Sequence, residues 1–178
     1  PTNLTAVVQL NSSLTAGAEV SLNWTNNATT VTNVVVERAT GAGAFGVVAT
    51  LLPADTSYLD QTVVPGPYSY RVYAVNAVGQ SAYAGPVTAT VAQPDSTTVV
   101  LNIPNPSFAG DMVTFTATVS PMLATGIPSG TVTFTANGVS SPVTLDAFGV
   151  ASFSTDALPA GTYTVTAAYS GDAIFLPS

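Results

Sequence analysis

The sequence contains no histidine, cysteine or lysine, and its two basic residues are Arg38 and Arg71. Histidine and cysteine supply most general bases, activated nucleophiles and metal ligands in enzymes. A serine nucleophile would find neither a histidine nor a lysine to activate it. Because cysteine is absent, disulfide bonds are excluded and any core must hold by packing alone. These absences exclude most catalytic mechanisms and favour a structural or binding role.

Charged side chains are scarce, at 6% of the 178 residues, and nine acidic residues give a net charge of -7. Ordinary soluble domains carry about 25% charged residues. Without a cluster of basic residues the chain cannot displace the counterions of a nucleic acid or bind an anionic membrane surface. No apolar run reaches the length of a membrane span. We therefore expect no nucleic-acid partner and no membrane insertion.

Apolar and polar residues alternate in short runs that proline and glycine separate, and no run has a helical period. Val20, Leu22 and Trp24 would share one face of a strand, as would the alternate residues of 68–74. Six or seven such runs occur before residue 93. This pattern predicts an antiparallel β-sandwich, and its recurrence after residue 96 predicts an all-β protein with two tandem immunoglobulin-like β-sandwiches.

Residues 1–92 resemble a fibronectin type III domain. The resemblance is carried by the strand with Trp24, by VVVERAT at 34–40 and by PGPYSYRVYAVNAVGQSAYAGPVTATV at 65–91. It implies that Trp24 is the core tryptophan of the second strand. It also implies that Tyr68 occupies the tyrosine corner, with its ring in the core and its hydroxyl capping a backbone group. The turn before Tyr68 is a residue or two shorter than the family pattern.

The second half repeats the alternation with a different sequence. Phe115, Phe134 and Phe153 each lie in a run of alternating apolar and hydroxyl residues, and we expect all three in a second core. The β-branched threonines between the apolar residues suit the exposed face of a strand. The segment QPDS at 93–96 is predicted to be a short proline-containing linker.

Residues 97–178 resemble the bacterial immunoglobulin-like repeats of large surface proteins. The matching stretches are NPSFAGDMVTFTATVSP at 105–121, PSGTVTF at 128–134 and GVASFSTDALPAGTYTVTAAYSGDAIFLPS at 149–178. In that family a further strand follows the FLPS segment, and this sequence stops before it. The resemblance therefore implies a sandwich that lacks its last strand. Either the chain's own continuation or a strand donated by a neighbouring subunit would fill the groove.

Two aspartates, Asp146 and Asp172, could be calcium ligands, because carboxylates in loops suit this ion. They could equally end strands through hydrogen bonds within turns. No D-x-D-x-D cluster accompanies them, so we favour the turn role and expect no metal, cofactor or catalytic residue. The pairs Asp55 with Asp60 and Asp146 with Asp156 could be imagined as glycosidase carboxylates, but they lie at predicted turns, and a sandwich lacks the necessary cleft.

Aromatic residues and N-x-S/T sequons offer two further candidate sites. Tyr73 and Tyr83 are the better surface aromatics, because Tyr73 is out of phase with the inward residues of its strand. An aromatic platform for sugars could draw on Trp24, Tyr58, Tyr73, Tyr83 and Phe175.

Sequons arise by chance in a chain rich in asparagine and threonine, and glycan attachment is the minor alternative. The four sequons begin at Asn3, Asn11, Asn23 and Asn27.

These features predict a non-catalytic extracellular segment of a larger bacterial surface or appendage protein, acting as a spacer, a stalk, an adhesion unit or a filament-packing unit. Its partners would be neighbouring domains of the parent protein or copies of itself. Because few ions need desolvation on contact, the low charge favours lateral packing. The alternative is an accessory module of a secreted polysaccharide-degrading enzyme, since fibronectin type III domains often lie beside catalytic domains.

Overall fold

The computed structural model describes residues 1–136 and 138–178, and it confirms an all-β chain. The chain divides into two compact units, Pro1–Ala92 and Gln93–Ser178. None of the described residues forms a helix that could cross a bilayer.

The first unit is a sandwich of two antiparallel sheets. One sheet has the order β1-β2-β5, and the other has the order β4-β3-β6, with β7 and β8 both paired to β6. Its strands are β1 (Thr2–Leu10), β2 (Ala18–Thr25), β3 (Asn33–Thr40), β4 (Gly46–Leu51), β5 (Ser57–Asp60), β6 (Gly66–Asn76), β7 (Gly79–Gln80) and β8 (Ala84–Val91).

The core of the first unit follows the period-2 pattern of its strands. On β2, Trp24 is 5% exposed, and on β6 Tyr68 is 3% exposed. All four alternate residues of β6 that face the other sheet, from Tyr68 to Ala74, are buried. Strand β6 achieves this burial because it is paired along both edges, to β3 on one side and to β8 and β7 on the other.

The second unit is also built from two antiparallel sheets, with the orders β13-β10-β9 and β12-β11-β14. Its strands are β9 (Ser96–Ile103), β10 (Val113–Pro121), β11 (Thr131–Ala136), β12 (Val139–Thr144), β13 (Val150–Thr155) and β14 (Val165–Tyr169). The strand β14 therefore lies at the edge of its sheet.

Two of the three phenylalanines expected in the second core are buried, Phe115 and Phe134. The third, Phe153, is partly buried and packs against the same core. Its ring stacks on those of Phe115 and Phe134, with centroids 6.3 and 6.2 Å apart. Phe153 keeps some exposure because β13 is an edge strand of its sheet.

The segment at 93–96 is hydrogen-bonded into the second unit. The Gln93 side chain donates to the carbonyl of Asp172, and the Pro94 carbonyl accepts from the amide of Leu176. The Asp95 carbonyl accepts from the amide of Met122, and β9 begins at Ser96.

Candidate functional site

The first unit contains a fully buried carboxylate, Asp60, at the end of β5. Its Oδ2 accepts hydrogen bonds from Arg38 Nη1 at 2.8 Å and from the Tyr70 hydroxyl at 3.0 Å. Its Oδ1 accepts from the backbone amide and the hydroxyl of Thr62, at 3.0 and 2.7 Å. Arg38 lies on the inward face of β3, two residues beyond Val36, and so reaches this carboxylate.

These contacts fix the charge of Asp60. Burial opposes ionisation, but the hydrogen bonds from Thr62, Arg38 and Tyr70 outweigh it and hold the pKa of the carboxyl below its usual value. Burial and the charge of Asp60 together raise the pKa of the Tyr70 hydroxyl. A carboxylate enclosed in this way has no path to a substrate and serves to hold the strands together.

The outer face of β3 and β6 carries a cluster around Arg71. The guanidinium pairs with Glu37 across the strands and lies between two aromatic rings. Its central carbon is 4.2 Å from the ring centroid of Phe45 and 3.9 Å from that of Tyr83. Tyr83 also meets Tyr73 edge to face at 5.2 Å. Tyr83 is 40% exposed, but Arg71 covers one face of its ring.

The tyrosine corner takes the form that the family resemblance implied. The Tyr68 hydroxyl donates to the carbonyl of Val64 and accepts from the amide of the same residue, both at 2.9 Å. Both backbone groups of one turn residue are thereby satisfied by a single buried side chain.

The first calcium candidate, Asp146, caps a turn. Its Oδ1 accepts from the amides of Phe148 and Val150, at 2.8 and 2.9 Å. Gly149 completes the turn with a φ of 75°, where a Cβ would lie 2.8 Å from the carbonyl of Val119.

The second calcium candidate, Asp172, holds a loop together. Its Oδ1 accepts from the amides of Ile174 and Phe175, and its Oδ2 accepts from the amide and hydroxyl of Ser129, all at 2.8 Å. Although burial opposes ionisation, these donors lower the pKa of Asp172 to about 2. Burial and the charge of Asp172 raise the pKa of the buried Tyr169 hydroxyl to about 12.

The structure does not bring the imagined glycosidase pairs into a cleft. Asp60 is buried against Arg38, while Asp55 accepts from the amide of Leu52. Asp156 is exposed on the turn after β13. Within residues 1–136 and 138–178, no group of three or more acidic side chains lies close enough to hold a metal ion.

The remaining candidates are divided between the core and the surface. Phe175 is buried in the second unit, and Tyr58 is partly buried against the first core. The sequon asparagines all lie in the first unit, where Asn3, Asn23 and Asn27 are exposed. Asn11 is tied down, since its amide nitrogen donates to Glu19 Oε2 at 2.9 Å.

A groove of about 400 Å³ opens in the second unit between β9 and the residues leading into β14. Its apolar lining includes Val100 of β9, Val113 and Phe115 of β10, and Val165 of β14.

Sequence reasoning missed the network around Asp60. Arg38, Asp60 and Tyr70 are separated by 22 and 10 residues, and no local spacing joins them. The one local signal is that Thr62 follows Asp60 by two residues. The Thr62 amide donates to the Asp60 carboxylate, and this hydrogen bond closes an Asx-type turn.

The fold and these sites define a class of protein: two immunoglobulin-like β-sandwiches in tandem, whose carboxylates are bound within turns and strand contacts. Residues 100–178 match the family model of the bacterial Ig-like domain (group 3). The family predicted for the second half is therefore confirmed.

A solved structure of tandem fibronectin type III domains has the same fold over nearly the whole chain. A two-domain fibronectin type III segment of chicken tenascin matches with a TM-score of 0.53 and 13% identity, over 94% of this chain and 89% of that chain. The FN1–FN3 domains of chicken CNTN1 match with a TM-score of 0.47 and 15% identity, over 100% and 63%. The chain spans 30% of pectate lyase Pel3 from Pectobacterium carotovorum, with a TM-score of 0.36 and 20% identity over 53% of its own length. A search of curated protein sequences finds no match.

At such low identity the tenascin likeness supports the fold alone. The chain is thus a tandem of Ig-like and fibronectin type III-like modules, a type typical of non-catalytic parts of surface or secreted proteins.

Proposed function

We propose that the chain is a non-catalytic extracellular segment of a bacterial surface or appendage protein, serving as a spacer, stalk or packing unit. Its partners would be the neighbouring domains of the parent protein and copies of itself.

The observation that carries this proposal is the state of the acidic side chains. Asp60 is enclosed by Arg38 and Tyr70, and Asp146 and Asp172 accept hydrogen bonds from the turns that they close. A catalytic carboxylate must be free to exchange a proton with a substrate or to attack it. These three side chains instead stabilise strands and loops.

The surface chemistry supports a packing role. Apart from the pairs Arg38–Asp60 and Glu37–Arg71, the charged side chains of the chain are seven acidic residues. The hydroxyl ladders on the exposed faces of the sheets pair with one another, as Thr114 does with Ser154 at 2.8 Å. A face of this type can meet another surface with little desolvation of ions.

The test is an exchange in the parent protein. Residues 1–178 are replaced by an unrelated pair of β-sandwiches of similar length, and the surface display and the function of the parent protein are measured. A spacer predicts that the exchange restores both, whereas deletion impairs them. Antibodies to this chain should label intact cells without permeabilisation. Failure of the exchange, with display intact, would show that the surface of the chain itself carries a specific activity.

Retention on insoluble polysaccharides separates this proposal from the accessory-module alternative. The spacer proposal expects no retention on cellulose, chitin or pectin. Retention that Tyr83→Ala abolishes, and that Phe148→Ala on an exposed turn of the second unit leaves unchanged, would favour a carbohydrate-binding module.

A further inference from the structure

Strand β9 carries a row of large apolar side chains on the outside of the second unit. Its residue Val100 packs against the core, so Val99, Leu101 and Ile103, which are out of phase with it, point outward. They are 57%, 63% and 72% exposed. Their direction is set by the pairing of β9 with β10, where Leu101 lies opposite the outward residue Thr116. We call Val99, Leu101 and Ile103 the apolar ridge.

The rest of this sheet face consists of hydroxyl side chains that bond to one another. Thr114 and Thr116 of β10 lie between the apolar ridge and the residues Ser154 and Ser152 of β13. The hydroxyls of Thr114 and Ser154 are 2.8 Å apart, and those of Thr116 and Ser152 are 3.4 Å apart. Because these hydroxyls already have partners within the face, a binding partner does not have to supply hydrogen bonds to them.

This face carries no charged side chain. The outward positions of β9, β10 and β13, all of them described, hold valine, leucine, isoleucine, threonine and serine. The acidic residues of the second unit lie outside these three strands, and the unit contains no basic residue. These acidic residues are Asp95, Asp111, Asp146, Asp156 and Asp172.

The outer faces of the other sheets have a different chemistry. Glu19 lies on the outward side of β2, and the ion pair of Glu37 with Arg71 lies on that of β3 and β6. The outer face of β11 is uncharged, but its outward residues are threonines, such as Thr133. The face of β9, β10 and β13 combines a lack of charge with a row of large apolar side chains.

This combination favours a second copy of the chain as the partner. Copies with a net charge of -7 repel one another, and this repulsion opposes contact least where a face has no charge of its own. A nucleic acid or an anionic membrane needs a basic surface, and a sugar platform needs aromatic rings, and this face has neither. A second copy brings the same apolar ridge, so a single contact removes both ridges from water.

We propose that the apolar ridge is the surface through which copies of this chain pack side by side, ridge against ridge, about a twofold axis. A twofold contact uses the same patch on both copies. Leu101 is the middle residue of the ridge, so it lies opposite its own counterpart whether the two ridges run parallel or antiparallel. The proposal names a surface for the packing role in the proposed function and rests on that role.

The size of the face predicts a weak contact. Three strands over seven residues cover about 14 by 20 Å, or about 600 Å² for two copies together. Stable complexes bury roughly 1,200–2,000 Å² in total. Isolated chains should therefore associate weakly and reversibly, and the contact should become effective where many copies are held close together.

Nuclear magnetic resonance of the 178-residue chain tests this contact, from micromolar to millimolar protein. We expect the amide signals of the apolar ridge and of Thr116 to shift progressively with concentration, while that of Thr133 on the other sheet stays constant. Added salt should strengthen the association, because it screens the repulsion between the acidic copies and no ion pair holds them.

Two variants separate the apolar ridge from a general effect of charge. Leu101→Asp places a charge at the centre of the contact and should lower the association constant from sedimentation equilibrium at least tenfold. The matched control, Thr133→Asp, adds the same charge to the outer face of β11 and should leave the constant within about threefold. Melting temperatures of both variants establish that they are folded.

A mixture of Leu101→Asp with Leu101→Lys tests the twofold arrangement directly. Each variant alone places like charges opposite one another and should associate weakly. The mixture places opposite charges there and should associate at least tenfold more strongly than either variant alone. A loss of stability in either variant would not produce this recovery.

Four results would overturn the proposal. Amide shifts could be independent of concentration, or they could change with concentration only outside the apolar ridge. The mixture could associate no better than either variant alone. Vesicles of phosphatidylcholine could broaden the signals of the ridge while the chain stays monomeric, which would make a lipid surface the occupant.

The exchange in the parent protein keeps this proposal distinct from the spacer role. If the exchange restores display and function but the chain does not associate, the packing surface is refuted and the spacer role stands. If the chain associates through the apolar ridge but the exchange fails, the spacer role alone is refuted.

Discussion

The loop that Asp172 closes gives a quantitative test of how the second unit is held together. The substitution Asp172→Asn is nearly isosteric, but it replaces one acceptor oxygen with an NH₂ group. Whichever way the amide turns, that group meets donors that the carboxylate now accepts, either from Ser129 or from the amides of Ile174 and Phe175. The loop also carries the ring of Phe175 into the core, so its loosening affects packing.

The expected loss follows from the pKa of Asp172. A value lowered from 3.8 to about 2 corresponds to roughly 2.5 kcal/mol in favour of the folded state with a charged carboxylate. Because Asp172 is partly exposed, solvent screening reduces this contribution to about 1–2 kcal/mol at pH 7. The free energy of unfolding of the second unit should fall by that amount in Asp172→Asn.

The direction of the pKa shift determines how the contribution of Asp172 to stability changes with pH. A lowered pKa in the folded state stabilises it fully above the unfolded value near 4, and this stabilisation is lost as the pH falls through about 2. The difference between the unaltered chain and Asp172→Asn should therefore be greatest at neutral pH and should disappear near pH 2.

Calorimetric unfolding measures this difference, with the two units followed as separate transitions. Fluorescence of Trp24, the one tryptophan, reports the first unit alone and should not change. The matched control is Asp156→Asn at an exposed turn, which should cost less than about 0.5 kcal/mol. A loss in Asp172→Asn as small as in Asp156→Asn, or one that persists at pH 2, would refute the argument. A rise of several degrees in melting temperature on adding millimolar calcium would also contradict the turn role of Asp172, since a ligand that binds the folded state stabilises it.

Three further outcomes are expected in the first unit. Trp24→Ala should lower the free energy of unfolding by about 3–5 kcal/mol in denaturant melts followed by circular dichroism, and a loss below about 1 kcal/mol would place the side chain at the surface. Tyr68→Phe should cost about 1–3 kcal/mol by Trp24 fluorescence, because the amide and carbonyl of Val64 lose their partner, and an unchanged midpoint would contradict this role of the corner. Since the pKa of Asp60 is lowered, its contribution to stability should be complete above about pH 4 and lost on further acidification. Asp60→Asn should flatten that acid limb because it removes the titrating carboxyl, and it should lower stability at neutral pH because Arg38 loses its charge partner.

Much of the architecture follows from the sequence alone. The alternation at Val20, Leu22 and Trp24 sets one face of a strand inward because successive side chains of a strand point to opposite sides. The family resemblance implied the tyrosine corner at Tyr68, and the structure shows that its contact is local, with Val64 four residues away.

Pairings between distant segments were decided only by the tertiary structure. The ion pair of Arg38 with Asp60 joins the two sheets of the first unit, and it depends on how these sheets pack and not on any local spacing. The partial exposure of Phe153 reflects the edge position of β13, which alternation cannot reveal. The position of β14 next to β11 is likewise a property of the assembled sheets, because a strand's pattern specifies which face it buries and does not specify which strand lies beside it.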